Sequence, residues 1–261
     1  RNLLGPKPSP RRFSVPAGQR VYVIGDVHGH ALLFDEMIRL IEADDAARGP
    51  ARTTVVMLGD LVDRGPDSAG VVARARQWSR ERHVEFIIGN HEEMLLASRD
   101  DGDALRGFLR FGGFETILSY GVDAQEIMRA DIPELQALMA DAIPASDFAF
   151  LEGFRPSLRI GDYLFVHAGI NPDLPISEQN DRDCRWIRKP FLNHKGDLGV
   201  MVVHGHTISG EPEVRSNRIG IDTGAYVLGT LTAVALEGEE RWFLQARDAS
   251  AGEDAAAPAE D

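Results

Sequence analysis

The apolar positions of this chain fall into short runs of strand length, separated by stretches with helical periodicity. The runs occupy residues 21–25, 54–58, 84–88, 163–167, 200–204, 231–236 and 241–245. Their β-branched content and short length favour buried strands over helices. Alternation of strands with helices predicts an α/β fold.

Helical periodicity is clear in two of the intervening stretches. The apolar face of the first predicted helix consists of Leu32, Leu33, Met37, Leu40 and Ile41. That of the second consists of Val71, Val72, Ala75 and Trp78. Asp67 or Ser68 lies where this second helix needs an N-cap. Residues 92–157 are mostly helical in pattern and contain no clear strand, which predicts a helical insertion.

The pattern divides the chain into three parts. Residues 1–18 are rich in proline and arginine and predict an irregular lead-in. Residues 19–246 carry all the strand and helix signals and form one expected domain. Residues 247–261 are acidic and rich in alanine, a composition typical of a disordered tail.

Charge and cysteine content narrow the class of protein. A formal net charge of −13 argues against a nucleic-acid partner or an anionic membrane surface, because phosphate groups recruit Lys and Arg. No apolar run is long enough to span a membrane. Cys184 is the single cysteine, so no disulfide framework exists and a reducing, cytoplasmic location is expected.

Polar residues that can bind metal follow each of the first five predicted strands. In open α/β sheets, ligands collect outside the carboxyl ends of the strands, so these side chains are expected to meet on one rim. Flanking glycines allow sharp turns there. The candidate ligands are Asp26, His28, Asp60, Asn90, His167 and His206. His204, two residues before His206, has no assigned role.

The candidate ligands combine carboxylate, amide and imidazole groups without a thiolate. This mixture suits borderline-hard divalent ions such as Mn, Fe or Zn and argues against a structural zinc site. Two ions about 3.5–4 Å apart can share a bridging carboxylate and activate a water between them. Asp60 lies centrally in the order of the motifs and is therefore the expected bridge.

Several motifs carry a more specific resemblance. They are GDVHG at 25–29, GDLVDRG at 59–65, GNHE at 89–92, HAG at 167–169 and GH at 205–206. In this order, each after a strand, they resemble the PPP family of metallophosphatases in the calcineurin-like superfamily. No second histidine follows His206 within a GHxH motif, which points to the PPP branch. The resemblance covers about residues 20–240.

The resemblance implies a fold and a metal centre. The fold is a β-sandwich of two mixed sheets flanked by helices, with the insertion at about 92–157. One ion would be held by Asp26, His28 and Asp60. The other would be held by Asp60, Asn90, His167 and His206. Manganese is the expected metal, with Fe, Zn, Mg or Co as alternatives.

Further residues have expected catalytic roles. Arg64 and Arg188 would bind the phosphate oxygens together with Asn90 and His91, and Arg185 is the alternative to Arg188. His91 would protonate the departing alkoxide. Asp63 would orient His91 and raise its basicity.

The expected reaction is hydrolysis of phosphomonoesters by direct attack of a water held between the two metals. A phosphoprotein carrying phosphoserine, phosphothreonine or phosphotyrosine is the leading substrate, and a phosphorylated small molecule is the other class. The bacterial-type Ser/Thr branch is related to symmetrical diadenosine tetraphosphate hydrolases, so hydrolysis of dinucleoside polyphosphates is the alternative. A third hypothesis is a pseudophosphatase that only binds partners. Pseudoenzymes typically lose a metal ligand or the catalytic acid, and neither is missing here. The sequence gives no signal on oligomeric state.

Overall fold

Two five-stranded mixed sheets form the centre of the protein, and helices pack against their outer faces. The computed structural model describes residues 11–248. The strands are β1 (Gln19–Ile24), β2 (Arg52–Met57), β3 (Val84–Phe86), β4 (Ser157–Ile160), β5 (Tyr163–Val166), β6 (Met201–His204), β7 (Glu213–Val214), β8 (Arg218–Gly220), β9 (Thr230–Glu237) and β10 (Glu240–Arg247). This arrangement confirms the α/β sandwich expected from the motifs.

The helices lie mainly between β1 and β3 and in the stretch before β4. They are α1 (Ala31–Ala47), α2 (Ser68–Glu81), α3 (Asn90–Ser98), α4 (Gly102–Phe108), α5 (Phe114–Ser119), α6 (Ala124–Arg129), α7 (Ile132–Ala142), α8 (Ala145–Glu152), α9 (Asp181–Trp186), α10 (Lys189–Leu192) and α11 (Ala225–Leu228). A π-helical turn joins α4 to α5 at Leu109–Gly113, and a 3-10 turn occupies Ile176–Glu178. None of the helices within residues 11–248 is both long and apolar enough to cross a membrane.

The first sheet has the strand order β10-β9-β1-β2-β3. Strands β1, β2 and β3 are parallel, whereas β9 and β10 pair antiparallel. Along β1, Val21 and Val23 face the second sheet, while Tyr22 and Ile24 pack among the helices. This alternation buries both faces of the strand, as a central strand between two layers requires. Because β1, β2 and β3 are parallel neighbours, their carboxyl ends lie side by side.

The second sheet has the strand order β4-β5-β6-β8-β7. Its three central strands are parallel, and β4 and β7 close the two edges in antiparallel pairings. The core between the sheets includes Phe165, Val203 and Ile219 from this sheet. Phe13 and Val15, from the predicted lead-in, are buried in the same core. The predicted disordered tail lies outside the described residues from position 249 onward.

All seven predicted strands are present, and three further strands escaped prediction. Strand β7 has two residues and β8 has three, which is too short for a period to show. Strand β4 is half-exposed at the edge and its four residues mix apolar and polar types. The predicted insertion consists of helices α3 to α8, and an isolated parallel bridge joins Arg155 to Ile87 before β4 begins.

One part of the predicted face of α1 is wrong. Leu32 is 87% exposed, whereas its neighbour Leu33 is 5% exposed and belongs to the core. The helix begins at Ala31, so Leu32 lies in its first turn and projects into solvent. Phe34 and Ile38 take part in the buried face instead. The predicted face of α2 is confirmed, and the Asp67 carboxylate caps it by accepting from the Gly70 N–H at 2.8 Å.

Adjacent leucines on α1 provide a matched test of this packing. Leu33→Ala should lower the free energy of unfolding by about 2–5 kcal/mol, because it leaves a cavity in the core. Leu32→Ala should change it by less than about 0.5 kcal/mol, because the side chain is exposed. Urea unfolding followed by circular dichroism measures both. Equal losses for the two variants would contradict the orientation of α1.

Candidate metal centre

The six predicted metal ligands meet at the carboxyl ends of five strands. Strands β1 and β2 lead into Asp26, His28 and Asp60, and β3 leads into α3, whose first residue is Asn90. From the second sheet, β5 leads into His167 and β6 into His206. Five of the six are nearly fully buried, with exposures between 0 and 4%, and His206 is partly buried. The two sheets thus bring together residues that lie up to 180 positions apart in the sequence.

Asp60 lies at the centre of the group. Its Oδ2 atom is 3.3 Å from Nε2 of His167, 3.6 Å from Nε2 of His28 and 3.9 Å from Nε2 of His91. Within residues 11–248, two clusters have the geometry to hold a metal ion: His28 with Asp60 and His91, and Asp60 with His167 and His206. Asp60 belongs to both, in agreement with its expected bridging position.

Asn90 completes the second cluster. Its Oδ1 atom is 2.8 Å from Nε2 of His167 and 2.9 Å from Nδ1 of His206. The two imidazole nitrogens are themselves 3.2 Å apart. Asp26 lies on the other side of this loop, where its Oδ2 accepts from the His206 N–H at 3.0 Å. The second oxygen of Asp26 is buried and has no hydrogen-bond partner among the described residues.

The potential metal-binding atoms of this centre suit a divalent ion because their lone pairs point at one another. His167 donates from Nδ1 to the Leu58 carbonyl at 2.8 Å, which leaves a lone pair on Nε2. That lone pair faces the amide oxygen of Asn90 and the carboxylate of Asp60. His28 repeats the arrangement, since its Nδ1 donates to the Val62 carbonyl at 2.9 Å. Facing acceptors repel each other unless a positive charge lies between them.

The pKa values of His167 and Asp60 also show that these side chains favour a positive charge between them. Burial lowers the pKa of His167, but the facing carboxylates of Asp60 and Asp26 outweigh it and raise the pKa to about 10. Burial opposes ionisation of Asp60, yet the imidazoles, His167 first, hold its pKa well below the ordinary value. A proton or a metal ion can supply the charge, and the carboxylate, amide and imidazole set suits a divalent ion.

The backbone is strained at the same place. The five non-glycine residues with positive φ within residues 11–248 all belong to the predicted site: His28 (46°), Asp60 (51°), Asp63 (73°), Arg64 (70°) and His206 (64°). Each such conformation costs about 1–3 kcal/mol and persists only where the surroundings enforce it. Sequence periodicity carries no signal for this strain.

His91 and Asp63 form a buried pair. Nδ1 of His91 lies 2.6 Å from Oδ2 of Asp63, as expected from the sequence. Burial raises the pKa of Asp63. The other oxygen of Asp63 accepts from the Thr116 hydroxyl at 2.6 Å, and its backbone N–H donates to Thr116 and Ser68. Thr116 belongs to the helical insertion, and nothing in its sequence context predicted this contact.

Glu92 is a second residue whose role the sequence analysis missed. Its carboxylate accepts three backbone N–H groups, from Asp60 at 2.8 Å, Leu61 at 2.7 Å and Gly89 at 2.9 Å. Burial raises its pKa to about 7 against the pull of these donors. The Gly89–Glu92 spacing is that of a capping box, which was a usable signal. Glu92 thereby fixes the loop that presents Asp60.

Arg64 lies between the metal cluster and the insertion. Its guanidinium is 3.5 Å from Nε2 of His28 and 4.4 Å from the centre of the Tyr226 ring, a cation–π contact. The backbone N–H of Arg64 donates to the Gly112 carbonyl at 3.1 Å. Gly112 has a φ of 101°, and a Cβ there would lie 2.7 Å from the Arg64 backbone nitrogen. Only glycine therefore permits this close approach.

The structure separates the two arginines proposed for the second phosphate contact. Arg185 donates to Glu93 at 2.8 Å, and the indole N–H of Trp186 donates to the same carboxylate at 2.6 Å. Arg188 is exposed, and within residues 11–248 no hydrogen bond or ion pair involves its side chain. After burial and His167, the charge of Arg188 contributes to lowering the pKa of His206. Arg188 is therefore both close to the centre and available.

Comparison with known proteins agrees with this geometry. Residues 19–229 match the family of calcineurin-like phosphoesterases. Serine/threonine-protein phosphatase 1 of Salmonella typhimurium is 27% identical and aligns over 90% of this chain and 100% of its own. The asymmetrical bis(5'-nucleosyl)-tetraphosphatase PrpE of Anoxybacillus flavithermus is 25% identical over 81% of this chain and 88% of its own.

A solved structure shows the same fold. A cold-active protein tyrosine phosphatase superposes with a TM-score of 0.59 at 18% identity, covering 88% of this chain and 81% of its own. At this identity the likeness concerns the fold alone.

The carboxylate of Glu92 can be tested against its neighbour. Glu92→Gln should lower the free energy of unfolding by about 1–3 kcal/mol, because its NH2 group would face a buried N–H donor. Glu93→Gln, the same change one residue later, should cost less than about 1 kcal/mol, since its ion pair with Arg185 is part-exposed. Urea unfolding measures the loss of free energy of unfolding in both variants. A neutral Glu92→Gln would show that the three N–H contacts do not anchor the Asp60 loop.

Proposed function

We propose that this chain, which belongs to the calcineurin-like phosphoesterase family, hydrolyses phosphomonoesters with a two-metal centre built on Asp60. The observation that carries the proposal is the shared Asp60 carboxylate between two clusters of imidazoles, with the His91–Asp63 pair beside it. Phosphoproteins bearing phosphoserine, phosphothreonine or phosphotyrosine are the proposed substrates.

The residues fit the metal assignment expected from the motifs. Asp26, His28 and Asp60 would hold one ion, and Asp60, Asn90, His167 and His206 the other. Bound metals lower the pKa of a water molecule and neutralise negative charge on a phosphate. The unpartnered oxygen of Asp26 is a possible metal-binding atom left over by the protein's own hydrogen bonds, and Nδ1 of His206 faces Asn90 and His167 in the second cluster.

Arginine side chains would position the phosphate. The Gly112 carbonyl holds the backbone N–H of Arg64, and the Tyr226 ring contacts its planar guanidinium, so the side chain is positioned before substrate binds. Arg188 would approach from the exposed side, where its guanidinium lacks a protein partner. Together with Asn90 they provide donors for the phosphate oxygens, which carry most of the charge in the transition state.

His91 would deliver a proton to the leaving oxygen. The Asp63 carboxylate fixes Nδ1–H of His91, so Nε2 points toward Asp60 and the centre. When the imidazole is doubly protonated, Nε2–H can pass its proton to the departing alkoxide. Thr116 holds Asp63 in place and is thus a positioning residue for this transfer.

One contact bears on the choice between phosphoproteins and dinucleotides. A dinucleoside polyphosphate would need an aromatic or arginine surface and extra basic residues, which the stretch from Arg182 to Lys189 could provide. The Arg185 charge is paired with Glu93 and is therefore not free to bind a polyphosphate chain, which supports the phosphomonoester assignment. Dinucleoside polyphosphate hydrolysis is the second candidate, supported by the likeness to PrpE and by the exposed cations Arg182, Arg188 and Lys189.

A substrate panel on the Mn-loaded protein tests this proposal. It should contain phosphoserine, phosphothreonine and phosphotyrosine peptides, diadenosine tetraphosphate and an aryl phosphate. Higher kcat/KM for a phosphopeptide than for the dinucleotide is the expected result. Preference for the dinucleotide would replace the substrate assignment, and no turnover of any phosphoester would refute the enzyme assignment.

Removing the proton donor should slow turnover without removing metal. His91→Asn is expected to lower kcat on phosphopeptides by roughly 10²–10⁴, the range for general acid catalysis. With an aryl phosphate the loss should shrink, because a good leaving group needs little protonation. Metal content is measured in parallel by mass spectrometry. Loss of metal would instead make His91 a ligand, a role its 3.9 Å distance to Asp60 would accommodate.

The two arginines give a matched pair for the phosphate contact. Arg188→Gln should lower kcat/KM by roughly 10–100-fold, the effect of losing a charge-assisted hydrogen bond. Arg185→Gln should lower it by less than about 5-fold, since its guanidinium serves a part-exposed ion pair. Steady-state kinetics on one phosphopeptide measures both, and the reverse order would assign the contact to Arg185.

A further inference from the structure

A cavity of about 880 Å³ lies beside the second sheet, separate from the metal centre. Its walls come from residues 192–195, residues 207–209 and the β7–β8 hairpin, with His204 and Gly220 as further lining residues. None of the residues that converge on Asp60 lines it. Its volume lies within the range of about 300–1,000 Å³ found for small-molecule sites.

The charge of the cavity is opposite to that of the protein. Lys195, Arg215 and Arg218 line it, against the single carboxylate of Glu213, whereas the chain as a whole carries −13. The Glu213 carboxylate is paired with two of these cations, because Arg215 donates to its Oε1 and Arg218 to its Oε2. Lys195 has no hydrogen-bond or ion-pair partner within residues 11–248, and about 61% of the Arg215 side chain is exposed. Cations of this kind attract a small anion.

His204 gives the cavity a hydrogen-bond acceptor. The residue is 2% exposed, and its Nδ1 donates to the Gly205 carbonyl at 3.0 Å, which leaves a lone pair on Nε2. That Nε2 atom is buried and has no partner among the described residues. A Cβ at Gly220 would lie 3.2 Å from it, so a larger residue there would crowd the nitrogen.

A second unpartnered polar atom lies nearby. The hydroxyl oxygen of Thr207 is buried, lacks a hydrogen-bond partner among the described residues and belongs to the cavity lining. Buried polar atoms without partners cost stability and are uncommon in native proteins. A ligand with its own hydroxyl or amine groups would satisfy both atoms.

We propose that this cavity is a binding site for a small sugar phosphate, distinct from the metal centre. The phosphate group would lie against Lys195 and Arg215, and a sugar hydroxyl would donate to Nε2 of His204. The segment from His204 to Thr207 also carries His206, so the ligand would contact the loop that completes the metal centre.

The probe is the methylene phosphonate analogue of ribose 5-phosphate, which has no ester bond to hydrolyse. Calorimetric titration of the Mn-loaded protein should reveal two sites, one at the metal centre and one in the cavity. Arg64→Gln should weaken only the first. Lys195→Gln combined with Arg215→Gln should weaken only the second, by roughly tenfold or more, because charge-assisted hydrogen bonds are lost.

Two controls make the outcome specific. Arg159→Gln should change neither site, because this arginine is exposed and its side chain's one hydrogen bond within residues 11–248 goes to the Gly161 carbonyl. His204→Phe keeps the ring packed on Phe191 and removes Nε2, so it should weaken the ribose probe but not methylphosphonate. A single site in the wild-type protein, or a second site indifferent to the Lys195 and Arg215 changes, would overturn the proposal. Equal binding of the ribose probe and methylphosphonate would remove the sugar from it.

Discussion

The convergence of lone pairs on the Asp60 carboxylate is the constraint on which the rest of the site depends. His28 and His167 each donate one ring N–H to a backbone carbonyl, so their remaining nitrogens must point inward. Five strand ends supply groups that repel one another without a cation, and the folded sheets hold them there. The metal centre is thus prepared by hydrogen bonds that lie behind the ligands rather than by the ligands alone.

Holding that arrangement requires an unusual backbone. Asp60 and His28 have left-handed conformations, which turn both side chains back toward the same point. Glu92 opposes the resulting strain because it binds the backbone of Asp60, Leu61 and Gly89 at once. The short GNHE motif therefore contains the proposed ligand Asn90 and the proposed acid His91 beside Glu92, which anchors the neighbouring loop.

Local features of the sequence predicted the α/β class and the strand ends at which the six candidate ligands lie, whereas the sandwich was expected from the resemblance of the motifs. Apolar runs identify strands, and a short polar motif after a run places its side chain at the strand end. Thr116, Ser68 and Tyr226 could not be found in this way, since their side chains are ordinary for helices and loops. Their contacts with the site arise only when distant segments pack together. The exposure of Leu32 was missed for a related reason, because a helical period does not say where the helix begins.

The insertion has a consequence for how this protein can diversify. Through Thr116 it holds Asp63, and through Gly112 it holds the backbone of Arg64, so the insertion is also part of the framework of the proposed catalytic site. Helices α4 to α8 also supply core residues such as Leu105 and Phe148, but Thr116 and Gly112 tie any new specificity to the inherited chemistry. A lineage could exchange the outer helices freely only while it kept the glycine and the hydroxyl that face the centre.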